Sequence, residues 1–198
     1  MNAKDLRIVF MGTPEFAVPS LKALIENGYN VVGVVTAPDR PAGRGLKLQE
    51  SEVKTAAREA GIATILQPEK LKDEAFVEAL RALRPDLGIV IAFRMLPEIV
   101  WAMPRFGTFN LHASLLPQYR GAAPINWAVI NGEKETGVTT FLLNHEIDKG
   151  AIIGQIRVPI GERDTVGTMY DKLMNIGTSL VLESVEKIAA GDIQPIEQ

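Results

Sequence analysis

Apolar positions along this chain follow two rhythms: short unbroken runs, and longer stretches in which apolar residues return every three or four places. The first run, Arg7 to Met11, stops at Gly12, Thr13 and Pro14, after which Phe16, Val18, Leu21 and Leu24 recur at helical spacing. This predicts a strand, a turn and a helix, with Thr13 as N-cap, Pro14 at the first helical position and Gly28 closing the helix. Val31 to Thr36 reads as a second strand. A strand, helix and strand so spaced form a parallel pair with a right-handed crossover.

Ala37 to Lys47 is too rich in proline and glycine for regular structure and is predicted as a loop. Ser51 is placed as the N-cap of a helix reaching about Ala60, followed by a short strand at Ala63 to Ile65 and a helix from Asp73 to Leu83. Leu87 to Ala92 is almost wholly apolar, as in the middle of a parallel sheet covered on both faces. It runs into Phe93 to Pro97, where a doubly wound fold opens its ligand crevice. A short helix from Pro97 to Met103 and a strand from Gly107 to Leu111 come next, then a helix from Ile125 to Ile130. The strands Gly137 to Leu143 and Ala151 to Pro159 lie too close for a crossover helix, so they are expected to be antiparallel and the sheet mixed. Thr165 to Ala190 forms a last amphipathic helix. The expected fold class is α/β, a Rossmann-like three-layer domain over residues 1–190 with a mixed, mainly parallel sheet; residues 191–198 read as the start of a linker.

Composition narrows the class. A chain 46% hydrophobic and 23% charged folds as a soluble protein. Without cysteine there is neither a disulfide framework nor a thiolate site, and two histidines cannot build the common zinc sets; no metal is expected. No signal core or membrane-length run is present, so the expected location is the cytoplasm. A formal charge of −3 argues against a generally basic surface, so any polyanion must be gripped locally. Gly12 lacks the further glycines of a dinucleotide loop and is read as an ordinary tight turn.

Candidate chemistry gathers at the strand end carrying Asn110 and His112. Two residues apart on a strand, they point to the same face, one a neutral hydrogen-bond donor and the other a group that titrates near neutrality. That pairing suits a reaction in which charge develops on an oxygen and protons must be managed. Ser114 shares the face if the extended chain continues. Asp148, between two apolar strands, is either a turn aspartate or an electrostatic partner for the imidazole, and its residue type leaves both open. His145 is assigned no role. The loop with Arg40, Arg44 and Lys47 is either a solvated connection or a grafted phosphate-binding element.

The run from Asn110 through His112 and Ser114 to Gly121, with Ile147 to Gly150, resembles the signature of folate-dependent formyltransferases. Phe10 to Phe16, Pro38 to Gly45 and Arg120 to Pro124 are similar to the methionyl-tRNA formyltransferase branch in particular, and the likeness covers essentially the whole chain. The resemblance implies the formyltransferase fold, a catalytic set of Asn110, His112 and Asp148, 10-formyltetrahydrofolate as formyl donor and initiator methionyl-tRNA as acceptor. It implies folate contacts from Phe93, Arg94, Met95, Leu96 and Pro97, from Ser114, Leu115, Leu116 and Pro117, and from Leu143, Asn144 and Ile147. Arg40, Arg44 and Lys47 match the element that meets the acceptor stem; no obligate protein partner is implied. Three departures stand out: Phe93 to Leu96 lacks the glycine expected there, Lys149 replaces a threonine, and the branch's C-terminal β-barrel does not follow Gln198. The competing readings are a formyltransferase acting on a small amine, a formyltetrahydrofolate hydrolase, and a non-catalytic nucleotide-binding or interaction domain.

Overall fold

The computed structural model describes all of residues 1–198. The fold is α/β, and its main sheet is mixed, mainly parallel and seven-stranded. The chain divides into two compact units, residues 2–108 and residues 109–198 with Met1.

In the first unit, β1 (Ile8–Gly12) pairs in parallel with both β2 (Val31–Val35) and β6 (Leu87–Ile91), and β2 pairs in parallel with β5 (Ile65–Leu66). All residues of β1 and β6 are buried, which is why they read as unbroken apolar runs. The helices are α1 (Val18–Glu26), α2 (Glu52–Glu59), α3 (Glu74–Ala82) and α4 (Glu98–Trp101). Ser51 caps α2 as expected, accepting from the Lys54 N–H. Thr13 does not cap α1: the chain first makes a 3-10 turn at Glu15–Ala17 flanked by Pro14, and α1 starts only at Val18. The expected strand at 63–65 lies slightly later, where it can pair with Val34 and Val35.

The proline- and glycine-rich segment is not a plain loop. It folds into an antiparallel hairpin of β3 (Arg40–Ala42) and β4 (Lys47–Gln49), pairing Arg40 with Gln49 and Ala42 with Lys47. Gly43, Gly45 and Leu46 turn the chain with positive φ.

The second unit is built from β7 (Thr108–His112), α5 (Pro124–Ile130), β8 (Glu135–Leu142), β9 (Ile152–Pro159) and α6 (Val166–Ala190). Both ladders, β7 with β8 and β8 with β9, are antiparallel, as the short connection requires. Along α6, Met169, Leu173, Gly177, Leu180, Ser184 and Ile188 form one buried stripe against β8 and β9. Gly177 allows the closest approach: a Cβ there would lie 2.7 Å from Leu111 Cδ2 on β7. Thr165 and Thr168 close a capping box at the start of α6. Beside it the Asp164 carboxyl is held down at about 2 by Lys172 first, then by the Gly161 N–H and the Thr168 hydroxyl. No helix is long and apolar enough to cross a membrane.

Candidate active site

Strand β7 presents Asn110 and His112 on one face, with Phe109 and Leu111 alternating to the other. Asn110 is half-buried and lies opposite Phe141; His112, 8% exposed, lies opposite Thr139. Burial strips water from the imidazole and leaves it facing fixed protein groups. Its Nε2 lies 2.8 Å from the Tyr119 carbonyl oxygen. A carbonyl only accepts, so Nε2 carries the hydrogen and Nδ1 is the position that gains or loses a proton. Nδ1 lies 3.7 Å from Asp148 Oδ2.

The chain after β7 turns back at once. The buried Ser114 donates its hydroxyl to Gln118 O at 2.6 Å, and the Gln118 N–H closes on Leu115 O at 3.0 Å. Thr139 fastens the turn to β8: its hydroxyl donates to Ser114 O at 2.7 Å and accepts from the Leu116 N–H at 3.1 Å. Gln155, opposite Thr139 on β9, donates to both Leu116 O and Thr139 Oγ1. Leu116 packs with Phe141 and Ile152 in a small buried cluster that Leu143 partly covers, while Pro117 is exposed after a cis peptide bond.

Asp148 sits at φ 52° in the connection between β8 and β9. Its Oδ2 accepts from the Gly121 N–H at 2.7 Å, and its backbone carbonyl accepts from Arg120 Nε at 3.2 Å. Three consecutive residues therefore hold the pair: Tyr119 the histidine, Arg120 and Gly121 the aspartate. The same connection carries an Asx turn at Asn144, whose Oδ1 accepts from the Glu146 N–H, and an ion pair between Lys149 and Glu146. Lys149 first, with Arg120 behind it, keeps the Glu146 carboxyl below the usual range. Ile147 is exposed. Gly150 ends the turn because a Cβ there would fall 1.6 Å from Leu142 O.

The chain's last residues lie on this connection too. Ile196 exchanges backbone hydrogen bonds with Ile152, and Gln198 donates to Gly150 O while accepting from Arg120.

Phe93 to Pro97 belong to the first unit, after β6. Arg94 donates to the carbonyls of Pro68 and Glu69 and lies over the Phe93 ring. Met95, Leu96 and Pro97 line an open groove of about 850 Å³ with Lys70, Leu71, Lys72, Glu98 and Ile99. Arg40, Arg44 and Lys47 are exposed on the hairpin. At its base Asp39 accepts from Lys54 and Gln67, and those two bonds, Lys54 foremost, lower its carboxyl below the ordinary value.

The sequence profile described as "Formyl transferase" matches residues 6–185. This chain belongs to the formyl transferase family. It is 65% identical over 198 residues to the methionyl-tRNA formyltransferase of Bacteroides thetaiotaomicron, covering all of this chain and 61% of that relative. The chain thus spans about three-fifths of the length of the curated relatives it matches. Among solved structures it is similar to the phosphoribosylglycinamide formyltransferase of Anaplasma phagocytophilum, with a TM-score of 0.80 at 24% identity, covering 95% of this chain and 89% of that one. It is also similar to an N-formyltransferase of Helicobacter canadensis solved with folinic acid and dTDP-3-aminofucose, with a TM-score of 0.71 at 22% identity, covering 98% and 67%. At these identities the two structures show a shared fold.

Tyr119, Gly121, Thr139 and Gln155 were not singled out from the sequence as site residues. The groups used at 119 and 121 are a main-chain carbonyl and an N–H, which every residue but proline carries. Thr139 left no distinguishing mark, since it is one of three threonines in β8.

Proposed function

We propose that this domain transfers a formyl group from 10-formyltetrahydrofolate to the amino group of methionine on initiator methionyl-tRNA, with Asn110, His112 and Asp148 as the catalytic set. The observation that carries the reading is a buried imidazole with Nε2 on a carbonyl and Nδ1 beside a carboxylate, next to Asn110 on the same strand face. Family membership and the 65% identity to a relative of that name support the reaction class and the acceptor.

The co-substrate supplies the formyl carbon. As the amine nitrogen bonds to that carbon, negative charge develops on the formyl oxygen, and Asn110 donates to it through its amide. His112, protonated at Nδ1, adds a positive charge that Asp148 balances. The proton lost by the amine returns to the folate nitrogen as the old carbon–nitrogen bond breaks, and His112 exchanges protons through Nδ1. The folate is assigned to Phe93, Arg94, Met95, Leu96 and Pro97 and to Ser114 to Pro117, Leu143, Asn144 and Ile147. From its buried place Ser114 acts by closing the turn. Arg40, Arg44 and Lys47 meet tRNA phosphates and sugars.

The test is formylation of charged initiator tRNA by the full-length protein with 10-formyltetrahydrofolate, alongside small amine acceptors and an acceptor-free control. Acceptor-dependent formyl-methionyl-tRNA that disappears in His112→Ala upholds the reading. Transfer only to a small amine, or formate release with no acceptor, replaces it.

A further inference from the structure

The Tyr119 carbonyl decides which nitrogen of His112 carries the hydrogen, and the structure invests unusual support in that one oxygen. Tyr119 is at φ 56°, a left-handed conformation that costs a residue with a Cβ about 1 kcal/mol and persists only where neighbours enforce it. One side is enforced by the turn before it, where Ser114 and Leu115 bind the carbonyl and N–H of Gln118. The other side is enforced through the Tyr119 ring. Its hydroxyl donates to Glu133 Oε1 at 2.5 Å and accepts from Asn131 Nδ2 at 3.0 Å. Both anchors sit at the end of α5, where the Asn131, Gly132 and Glu133 N–H groups bond back to Trp127, Val129 and Ala128. The ring is therefore tied to the turn that closes α5. The hydrogen bond to Glu133 also holds the phenol proton on, raising its pKa above the ordinary value.

We propose that Tyr119 is a positioning residue whose phenol, anchored on Glu133 and Asn131, holds the 119–120 peptide so that its carbonyl fixes His112 as the Nε2–H tautomer. The proposal rests on the reading of His112 as catalytic, and it adds a residue that never touches substrate. With the phenol released, the peptide turns away from the left-handed geometry, the carbonyl leaves Nε2, and neutral His112 divides between its two tautomers. Proton exchange is then no longer confined to the nitrogen facing Asp148.

15N-histidine labelling reads the imidazole nitrogens, and the signals lost in His112→Ala are those of His112. With the ring neutral, the wild type should show one protonated nitrogen at Nε2 and one bare nitrogen at Nδ1. In Tyr119→Phe the two shifts should converge, and kcat for formyl transfer should fall about two- to tenfold, the worth of one ordinary hydrogen bond, with KM for the folate unchanged. Glu133→Gln keeps an acceptor for the phenol and should stay near wild type; Glu133→Leu should repeat the Tyr119→Phe signature. Unchanged nitrogen shifts in both Tyr119→Phe and Glu133→Leu overturn the proposal, whatever happens to kcat. Converged shifts in a protein whose formyl transfer survives His112→Ala leave the positioning role standing and remove the catalytic reading beneath it.

Discussion

The turn from Ser114 to Gly121 and the hairpin from Arg40 to Gln49 are both rich in glycine or proline, yet the structure treats them in opposite ways. The first is fastened through nearly every polar group: Ser114, Leu116, Gln118, Tyr119 and Gly121 all bond to neighbouring strands, turns or the Asp148 connection. The second is held at its base by Asp39, Lys54 and Gln67, and its body is fully exposed, with Leu46 and Leu48 at 73% and 71%. A two-stranded hairpin of this size is marginal on its own. Under the proposed function, the difference follows from what each region meets. A reacting centre gains from groups already in place, because a misplacement of about 1 Å can cost a hundredfold in rate. A surface that grips a large charged partner can be ordered by that partner, at a cost in affinity.

The sharpest attempt to break this contrast is His112→Ala. It should lower kcat by about a hundred- to ten-thousandfold, the span of general acid–base catalysis, while near-UV circular dichroism stays native. An unchanged rate would leave the fastened turn without a catalytic purpose.

Phe141→Ala, beneath the same turn, should destabilise the fold by about 3–5 kcal/mol in urea titrations, because the ring is fully buried between Leu116 and Ile152. Thr139→Val tests the fastening itself. It leaves the buried Leu116 N–H without its partner, costs about 1–3 kcal/mol, and should lower kcat more than any hairpin substitution does in a tRNA-independent assay. If kcat is unmoved, the turn does not need its hook on β8.

On the hairpin, Arg44→Ala should weaken methionyl-tRNA binding about three- to tenfold and reduce the salt dependence by about one counterion, with folate affinity intact. Equal loss for folate would show that the two regions are not separable in function.

The smallest effect is a pH response at the hairpin base. The Asp39 carboxyl is depressed in the fold, so its contribution is present above its unfolded value and is lost as pH falls through the folded one; Lys54 is raised by Asp39, so its share is lost only as pH climbs through its own folded value. Amide protection of residues 40–49, relative to the intrinsic exchange rate, should fall below about pH 4 while protection in residues 108–112 does not follow. Asp39→Asn should flatten the acid response.

Much of the scaffold was legible because burial imposes pattern. The apolar runs of β1, β2 and β6, the Ser51 cap and the stripe along α6 come from residues that must hide from water. The hairpin was missed because three paired residues in each strand are too few to alternate visibly, and glycine and proline signal a turn whether or not pairing surrounds it. Thr13 was misread as a cap because an intervening 3-10 turn leaves no trace in periodicity. At the site, Asn110 and His112 could be placed on one face from strand geometry alone. Asp148 could not: no local rule joins it to His112, and only family resemblance suggested that the two meet. The carbonyl and the N–H that hold them were invisible because nearly every residue carries the same main-chain groups.

That sameness bears on how such a site persists. The acceptor for His112 and the donor for Asp148 belong to the chain's path, so a side-chain exchange can misplace one of them, as Tyr119→Phe should, but only proline at 121 removes one. What displaces both at once is a change in count. Removing one residue between Ser114 and Gly121 would shift both groups out of register together. Over evolutionary time this turn should accept new letters far more readily than a new length.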